Sequence, residues 1–203
     1  MFRIAILILL SSALGLLATG GPDPFERIKS ELAEADCCHV RFLSIVHSDV
    51  FESVDTTSGQ AYVARDGRYA INLGQDTYVQ TDDKLYSYSE PNNQVTVELV
   101  DAGSGSAEEV SFLNRLDHYF HTNPVEPGKE YNLIRIDTAS SGLPDSMKVF
   151  LSEGGRSIAR MEYFDINHDR NTLSIISLEA LPRCDSLSLR PSFPDTVQII
   201  TLY

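Results

Sequence analysis

Three cysteines, one arginine at the end of a strand-like run and an oxygen-rich tetrad are the residues of this chain best suited to chemistry. Cys37 and Cys38 are adjacent, and Cys184 lies far along the chain. In an oxidising compartment, one disulfide from Cys184 to either Cys37 or Cys38 would tie the first helical region to the C-terminal strands and leave one thiol over. Adjacent cysteines do not present the Cys-x-x-Cys geometry that structural zinc prefers, so no metal is expected there. Asp165, Asn167, Asp169 and Asn171 have the alternate-residue oxygen spacing of a calcium loop. Arg170 stands where such a loop needs glycine and Ile176 where it needs glutamate, so the stretch reads as a polar hairpin turn. His118 and His121 are three apart without a third ligand at compatible spacing, and read as surface histidines. Arg65, read from the residues alone, is an ordinary exposed strand-end arginine.

Motifs for catalysis are missing. The chain has no Gly-x-Ser-x-Gly elbow, no His-Glu-x-x-His, no phosphate-binding glycine loop and no cysteine with a recognisable histidine partner. The sequence therefore disfavours an enzyme and calls for no cofactor. Sixteen Lys plus Arg face 29 Asp plus Glu, a net charge of −13. Nucleic acid and anionic membrane surfaces both reward clustered basic charge and are not expected as partners.

At the N-terminus, Arg3 precedes an apolar run from Ile4 to Leu17, and Ala18-Thr19-Gly20 gives a small-x-small cleavage pattern. The run is ended by Gly20, Gly21, Pro22 and Pro24, short of the ~20 apolar residues a membrane span needs. Residues 1–20 are thus expected to be a cleaved secretory signal. No cysteine follows the run, so a soluble mature chain without a lipid anchor is expected, and residues 21–203 have the length of a single domain.

The elements that must position these residues follow from periodicity. Pro24 opens a segment in which Phe25, Ile28, Leu32 and Ala35 recur at spacings of three and four, an amphipathic helix. From Val40 the texture turns to short Val, Ile, Thr, Tyr and Phe stretches between Gly, Pro, Asn and Asp. Strands are predicted over 39–51, 60–65, 68–73, 77–81, 84–89 and 94–99. After a small-residue loop at 101–106, Val110, Leu113, Leu116 and Phe120 share a helical face and predict a second helix over 107–120. Asn123-Pro124 and Glu126-Pro127-Gly128 break it, and strands resume over 131–138, 146–152, 158–166, 172–178 and 197–202. So many short strands favour a sandwich or a strongly curved sheet. Two helices then need its concave side to bury their apolar faces, which makes a lidded cavity.

The middle of the chain resembles a known family. The residues are Gly59 to Arg65 (GQAYVAR), Gly67 to Tyr69, Tyr78-Val79, Thr81 to Pro91 (TDDKLYSYSEP) and Gln94 to Val97 (QVTV). In order and spacing they are similar to the strand ending in a basic Arg, the aromatic strand, the turn, the Leu-Trp-x-Tyr strand and the Gln-Val-Thr-Val strand of the periplasmic lipoprotein carriers of the LolA type. The Pro after the family's Arg is Asp66 here, which is placed to pair with Arg65 or Arg68, and the family's Trp is Tyr86.

The resemblance implies a mainly β fold with α: a curved, incomplete antiparallel β-barrel, or half-barrel, closed by a lid of short helices. It further implies a soluble periplasmic monomer that takes acylated lipoproteins from an inner-membrane lipoprotein-releasing ABC transporter and passes them to an outer-membrane acceptor. On the same footing Arg65 is a latch that donates to backbone carbonyls of the lid. Val63, Tyr69, Ile71, Val79, Leu85, Tyr86, Tyr88, Val95, Val97, Leu113 and Leu116 line the cavity. By residue type alone, Tyr62, Tyr69, Tyr78, Tyr86 and Tyr88 fit cross-strand packing equally well. A relative using the same cavity for another hydrophobic ligand, and a secreted interaction protein with a filled core, are the alternatives.

Overall fold

A computed structural model of the chain describes residues 23–100, 112–136 and 143–202. The expected signal at 1–20, the loop at 101–106 and Val110 lie outside them. The chain opens with α1 (Pro24–Glu34), whose first turn is set locally. Asp23 is its N-cap, accepting from the amides of Phe25 (2.8 Å) and Glu26 (3.4 Å), and Pro24 occupies the first helical turn, where its missing N–H costs nothing.

Among the described residues twelve strands follow: β1 (Cys37–Ser48), β2 (Ser53–Ala64), β3 (Tyr69–Leu73), β4 (Asp76–Gln80), β5 (Lys84–Ser89), β6 (Gln94–Leu99), β7 (Phe120–Glu126), β8 (Glu130–Arg135), β9 (Ser146–Leu151), β10 (Ile158–Phe164), β11 (Arg170–Leu181) and β12 (Gln198–Leu202). They form one unclosed, curved sheet in the order β12-β6-β5-β4-β3-β2-β1-β11-β10-β9-β8-β7. Every pairing is antiparallel except β12 with β6. The expected half-barrel is the fold.

Long strands and bulges shape the sheet. β1, β2 and β11 are 12 residues each and form its centre. Register shifts at Arg41/Phe42, Ile158/Arg160 and Pro124/Glu126 insert extra residues, and such bulges increase local twist and bend the strand. Gly59 lies beneath the Phe42 ring; a Cβ there would sit 2.5 Å from Cζ of that ring. The missing side chain lets Phe42 lie across the centre of the sheet.

Two elements differ from expectation. Of the second helix, the described residues show a 3₁₀ turn (Phe112–Arg115) and one turn of α2 (Leu116–Tyr119), which ends before Phe120 because that residue already pairs with Arg135 at the start of β7. The Pro-rich stretch read as a break is β7 itself. Pro124 is tolerated because β7 is an edge strand with one side free of partners.

The concave face carries one core. Phe25, Ile28 and Leu32 of α1 pack with Leu113, Leu116 and Tyr119 onto Val40, Val63, Tyr69, Leu133, Val149 and Met161 of the sheet. The convex face has a smaller cluster, Ala64, Ala70, Val79 and Leu189 with Tyr62, Tyr86 and Cys184, where the segment after β11 folds back over β2 to β5. Strand alternation decides the disulfide. Cys37 and Cys38 point to opposite faces, Cys184 lies on the convex side, and the bond is Cys37–Cys184, with Cys38 fully buried in the concave core. Among the described residues no helix is long and apolar enough to cross a membrane.

Burial pushes the Cys38 thiol up to about 11, far above neutral pH, so it carries almost no thiolate. Iodoacetamide at pH 8 is expected to leave the native protein unmodified and to add one carbamidomethyl group to Cys38 in guanidinium without reductant. Peptide mapping checks both, and fast labelling of the folded protein would contradict this placement.

Candidate functional site

The last turn of α1 leaves carbonyls without intrahelical donors, as every helix does, and it contains neither a basic residue nor a glycine cap. Ala35 instead turns into extended backbone. The missing donors come from across the fold. Arg65, one residue past β2, reaches back so that Nε donates to the carbonyl of Ala35 (3.2 Å) and Nη2 to those of Ala33 (3.4 Å) and Glu34. Its Nε also lies 3.4 Å from Asp36 Oδ1, and its backbone amide donates to Asp36 O. A cation at the C-terminal end of a helix dipole is in its favourable position. Asp66 does not compete for Arg65. Its Oδ2 accepts from Nε and Nη2 of Arg68 and its Oδ1 from the Arg68 amide, and the Arg68 side chain holds its carboxyl below the usual carboxylate range.

At its other end α1 is held by Tyr131. The hydroxyl of this fully buried β8 residue donates to the Asp23 carboxylate (2.7 and 2.8 Å) and accepts from the Gly128 amide (2.7 Å). Burial, followed by the hydrogen bond to Asp23, raises the Tyr131 pKa. Arg27 donates to the Gly155 carbonyl at 3.1 Å. Gly155 has φ of +64°, and a Cβ there would meet Pro24 at 2.9 Å, so both conformation and space require glycine.

Lys29 ties the two lid elements together. Its ammonium, on a side chain only 5% exposed, contacts Asp117 of α2 (2.5 Å), Glu26 (2.8 Å) and Thr122 (3.3 Å), and lies over the Phe25 ring at 5.6 Å. Burial alone would pull its pKa down. The hydrogen bonds and charges of Asp117 and Glu26 outweigh burial and hold it above the ordinary lysine value. Sequence reasoning missed Lys29, which sits one position from Ile28 on the apolar stripe. A lysine on the buried side of an amphipathic helix, with an acidic residue three before it, was the available signal.

The expected cavity-lining residues fall into two groups. Val63, Tyr69, Ile71, Leu85, Leu113 and Leu116 belong to the concave core and pack with α1 and its neighbours. Register gives the reason, because Val63, Tyr69, Gln80 and Leu85 are directly opposite one another across β2 to β5. Val79, Tyr86, Tyr88, Val95 and Val97 lie on the convex side, a correction to the expected lining. Tyr86 follows Leu85 in the same strand and so points the other way. It pairs with Val79 and Val97, and Tyr88 pairs with Val95. Phe193 covers them, with ring centroids 6.1 Å from Tyr86 and 5.4 Å from Tyr88.

The tetrad at 165–171 closes a hairpin. Asp165 accepts from the amides of Asn167 (2.9 Å) and Asp169 (3.0 Å) and from the Asn171 side chain (3.2 Å), which turns its oxygens into the loop's own hydrogen bonds.

Fold and clamp together define an open, curved half-barrel whose concave face is covered by a helix held at both ends. No protein-family model matches the sequence, and no curated protein is significantly similar to it. Among solved structures, an uncharacterised conserved protein from Thermus thermophilus is similar in fold, with a TM-score of 0.51 at 8% identity over 88% of this chain and 97% of that one. A DUF1329 family protein from Desulfovibrio piger gives 0.46 at 12% identity, covering 83% and 98%. A LolA superfamily protein from Nitrosomonas europaea gives 0.41 at 7% identity, covering 82% and 97%.

The raised pKa of Lys29 fixes the sign of a pH effect. Its contribution to stability is complete below the unfolded-state value of about 10.4 and is lost as pH rises through the higher folded value. Lys29→Met is expected to lower stability at pH 7 by ~1.5–3 kcal/mol, the range for hydrogen bonds to a charged group. It should also flatten the decline above about pH 10. Urea denaturation from pH 7 to 11 measures both, and parallel curves for variant and wild type would count against the linkage.

Proposed function

We propose that this chain is a non-catalytic, exported carrier that shields acyl chains beneath α1, and that its cargo is acylated lipoprotein in transit across the periplasm. The observation that carries the reading is the Arg65 clamp on the last carbonyls of α1, set over an apolar concave sheet. In this state the lining is packed, with Val63 at 1% and Leu116 at 4% exposure, so cargo enters only as α1 lifts.

The magnitudes allow such an exchange. Lifting α1 uncovers chiefly Phe25, Ile28 and Leu32, about 1.5–3 kcal/mol each and so ~5–9 kcal/mol together. An acyl chain of about sixteen carbons, at ~0.8 kcal/mol per buried methylene, offsets this with ~12 kcal/mol. Arg65, with a side chain 53% exposed, adds only about 1–3 kcal/mol because solvent screens it. A clamp of this size biases the lid toward closure without locking it. When cargo passes to its acceptor, the lid closes and the helix recovers its own core contacts. In this scheme the donor is an inner-membrane lipoprotein-releasing ABC transporter, and delivery is to an outer-membrane acceptor.

Incubation with membranes carrying newly acylated lipoproteins and the releasing transporter should yield a soluble complex. Arg65→Leu should still form the complex but pass cargo to acceptor membranes at least ten times more slowly. Unchanged transfer by the variant would remove the latch, and no soluble lipoprotein complex from wild type would remove the carrier reading. Mass spectrometry of copurified material identifies a free lipid if that is the cargo instead.

A further inference from the structure

Beside the clamp lies a cleft of about 680 Å³ between the β2–β3 turn and the segment that follows β11. Four arginines line it, Arg65, Arg68, Arg183 and Arg190, against two acidic residues, Asp36 and Asp66. This is a local reversal in a chain of net charge −13.

Two of the four arginines are committed. Arg68 is paired with Asp66 at 2.7 Å and lies 3.7 Å from Asp82, and Arg65 holds α1. Among the described residues, the side chains of Arg183 and Arg190 make neither a hydrogen bond nor an ion pair. Both are exposed yet fixed at their roots. Arg183 precedes Cys184, which is bonded to Cys37, and Arg190 follows Leu189, which is buried against Ala64, Ala70 and Val79. Gathering like charges on anchored backbone costs energy in the free protein, and an anion relieves it. Guanidinium groups match tetrahedral oxyanions through paired N–H donors.

We propose that this cleft binds a phosphate-class anion between Arg183 and Arg190, and that Arg65 joins it by leaving the carbonyls of α1, so that occupancy loosens the lid. The site stands on the arginines alone; the coupling to the lid rests on the latch reading of Arg65. A neighbouring cavity of about 470 Å³ shares Arg190 and Pro191 and adds Leu187, 70% exposed, and Phe193. An apolar lip beside an anion site fits the headgroup of a phosphate-bearing amphiphile as well as a free phosphate.

Titration of the intact, disulfide-bonded protein with inorganic phosphate and with dihexanoyl phosphatidate, by calorimetry at low ionic strength, tests the site. Both ligands should bind, more weakly as salt is added. The double variant Arg183→Gln, Arg190→Gln should lose at least tenfold in affinity with its thermal midpoint unchanged, since both side chains are exposed. Phosphatidate binding ten times tighter than phosphate identifies a lipid headgroup, and equal affinities identify free phosphate; either supports the shared chemistry. Equal binding by wild type and double variant, or none by wild type, overturns the site. Hydrogen exchange reads the coupling: saturating ligand should speed exchange at the C-terminal end of α1 in wild type only, and unchanged exchange overturns the coupling. None of these readouts involves lipoprotein, so failure of the carrier reading would leave them unaffected.

Discussion

The last carbonyls of α1 need donors, and Arg65 brings them from the far end of β2. Neither helix nor sheet suffices alone. An 11-residue helix is too short to be stable in water by itself and depends on its packed face. The half-barrel, for its part, would present an uncovered apolar face. The clamp joins the two at the point where α1 runs into β1, so the helix is tethered by its chain, by a guanidinium and, two residues past Ala35, by the Cys37–Cys184 bond. At the opposite end Tyr131 fixes the N-cap carboxylate of Asp23 from beneath.

These ties differ in strength. The Tyr131–Asp23 contact is built on a fully buried tyrosine, and Lys29 is almost as enclosed. The Arg65 contact is half exposed and open to competition from water and anions. In the proposed carrier, the lid would open at the solvent-facing end, pivoting on its N-terminus. The Arg-lined cleft lies at that same end, beside the half-exposed tie of the lid.

Much of the fold was legible in short stretches of sequence. Period-two alternation and Gly, Pro and Asn punctuation marked most strands, because the backbone requirements of strands and turns are local. Pro24 at the first turn and the Phe25, Ile28, Leu32 spacing marked α1 for the same reason. Reading failed where context overrides local signals. Pro124 looked like a break but lies in an edge strand, and β2 runs back to Ser53 through Asp55, Thr56 and Thr57, which carry no apolar pattern of their own. Of the site, Arg65 could be singled out; Lys29 carried a local signal on its helix, but its partner Asp117, 88 residues away, could not be read from sequence.

The sequence by itself determined that this is a strand-rich, acidic chain with an amphipathic helix ahead of the strands and a convergent run of residues around Arg65. These properties follow from composition and from neighbours within a few residues. Tertiary structure alone decided which face each strand residue takes, so that Leu85 lies in the concave core and Tyr86 beneath Phe193. It likewise decided that Cys37 rather than Cys38 meets Cys184, that Asp66 takes Arg68 and leaves Arg65 to the helix, and that four arginines share one cleft. The faces of the strand residues and the choice of cysteine depend on strand register, and a shift of one residue would reverse them.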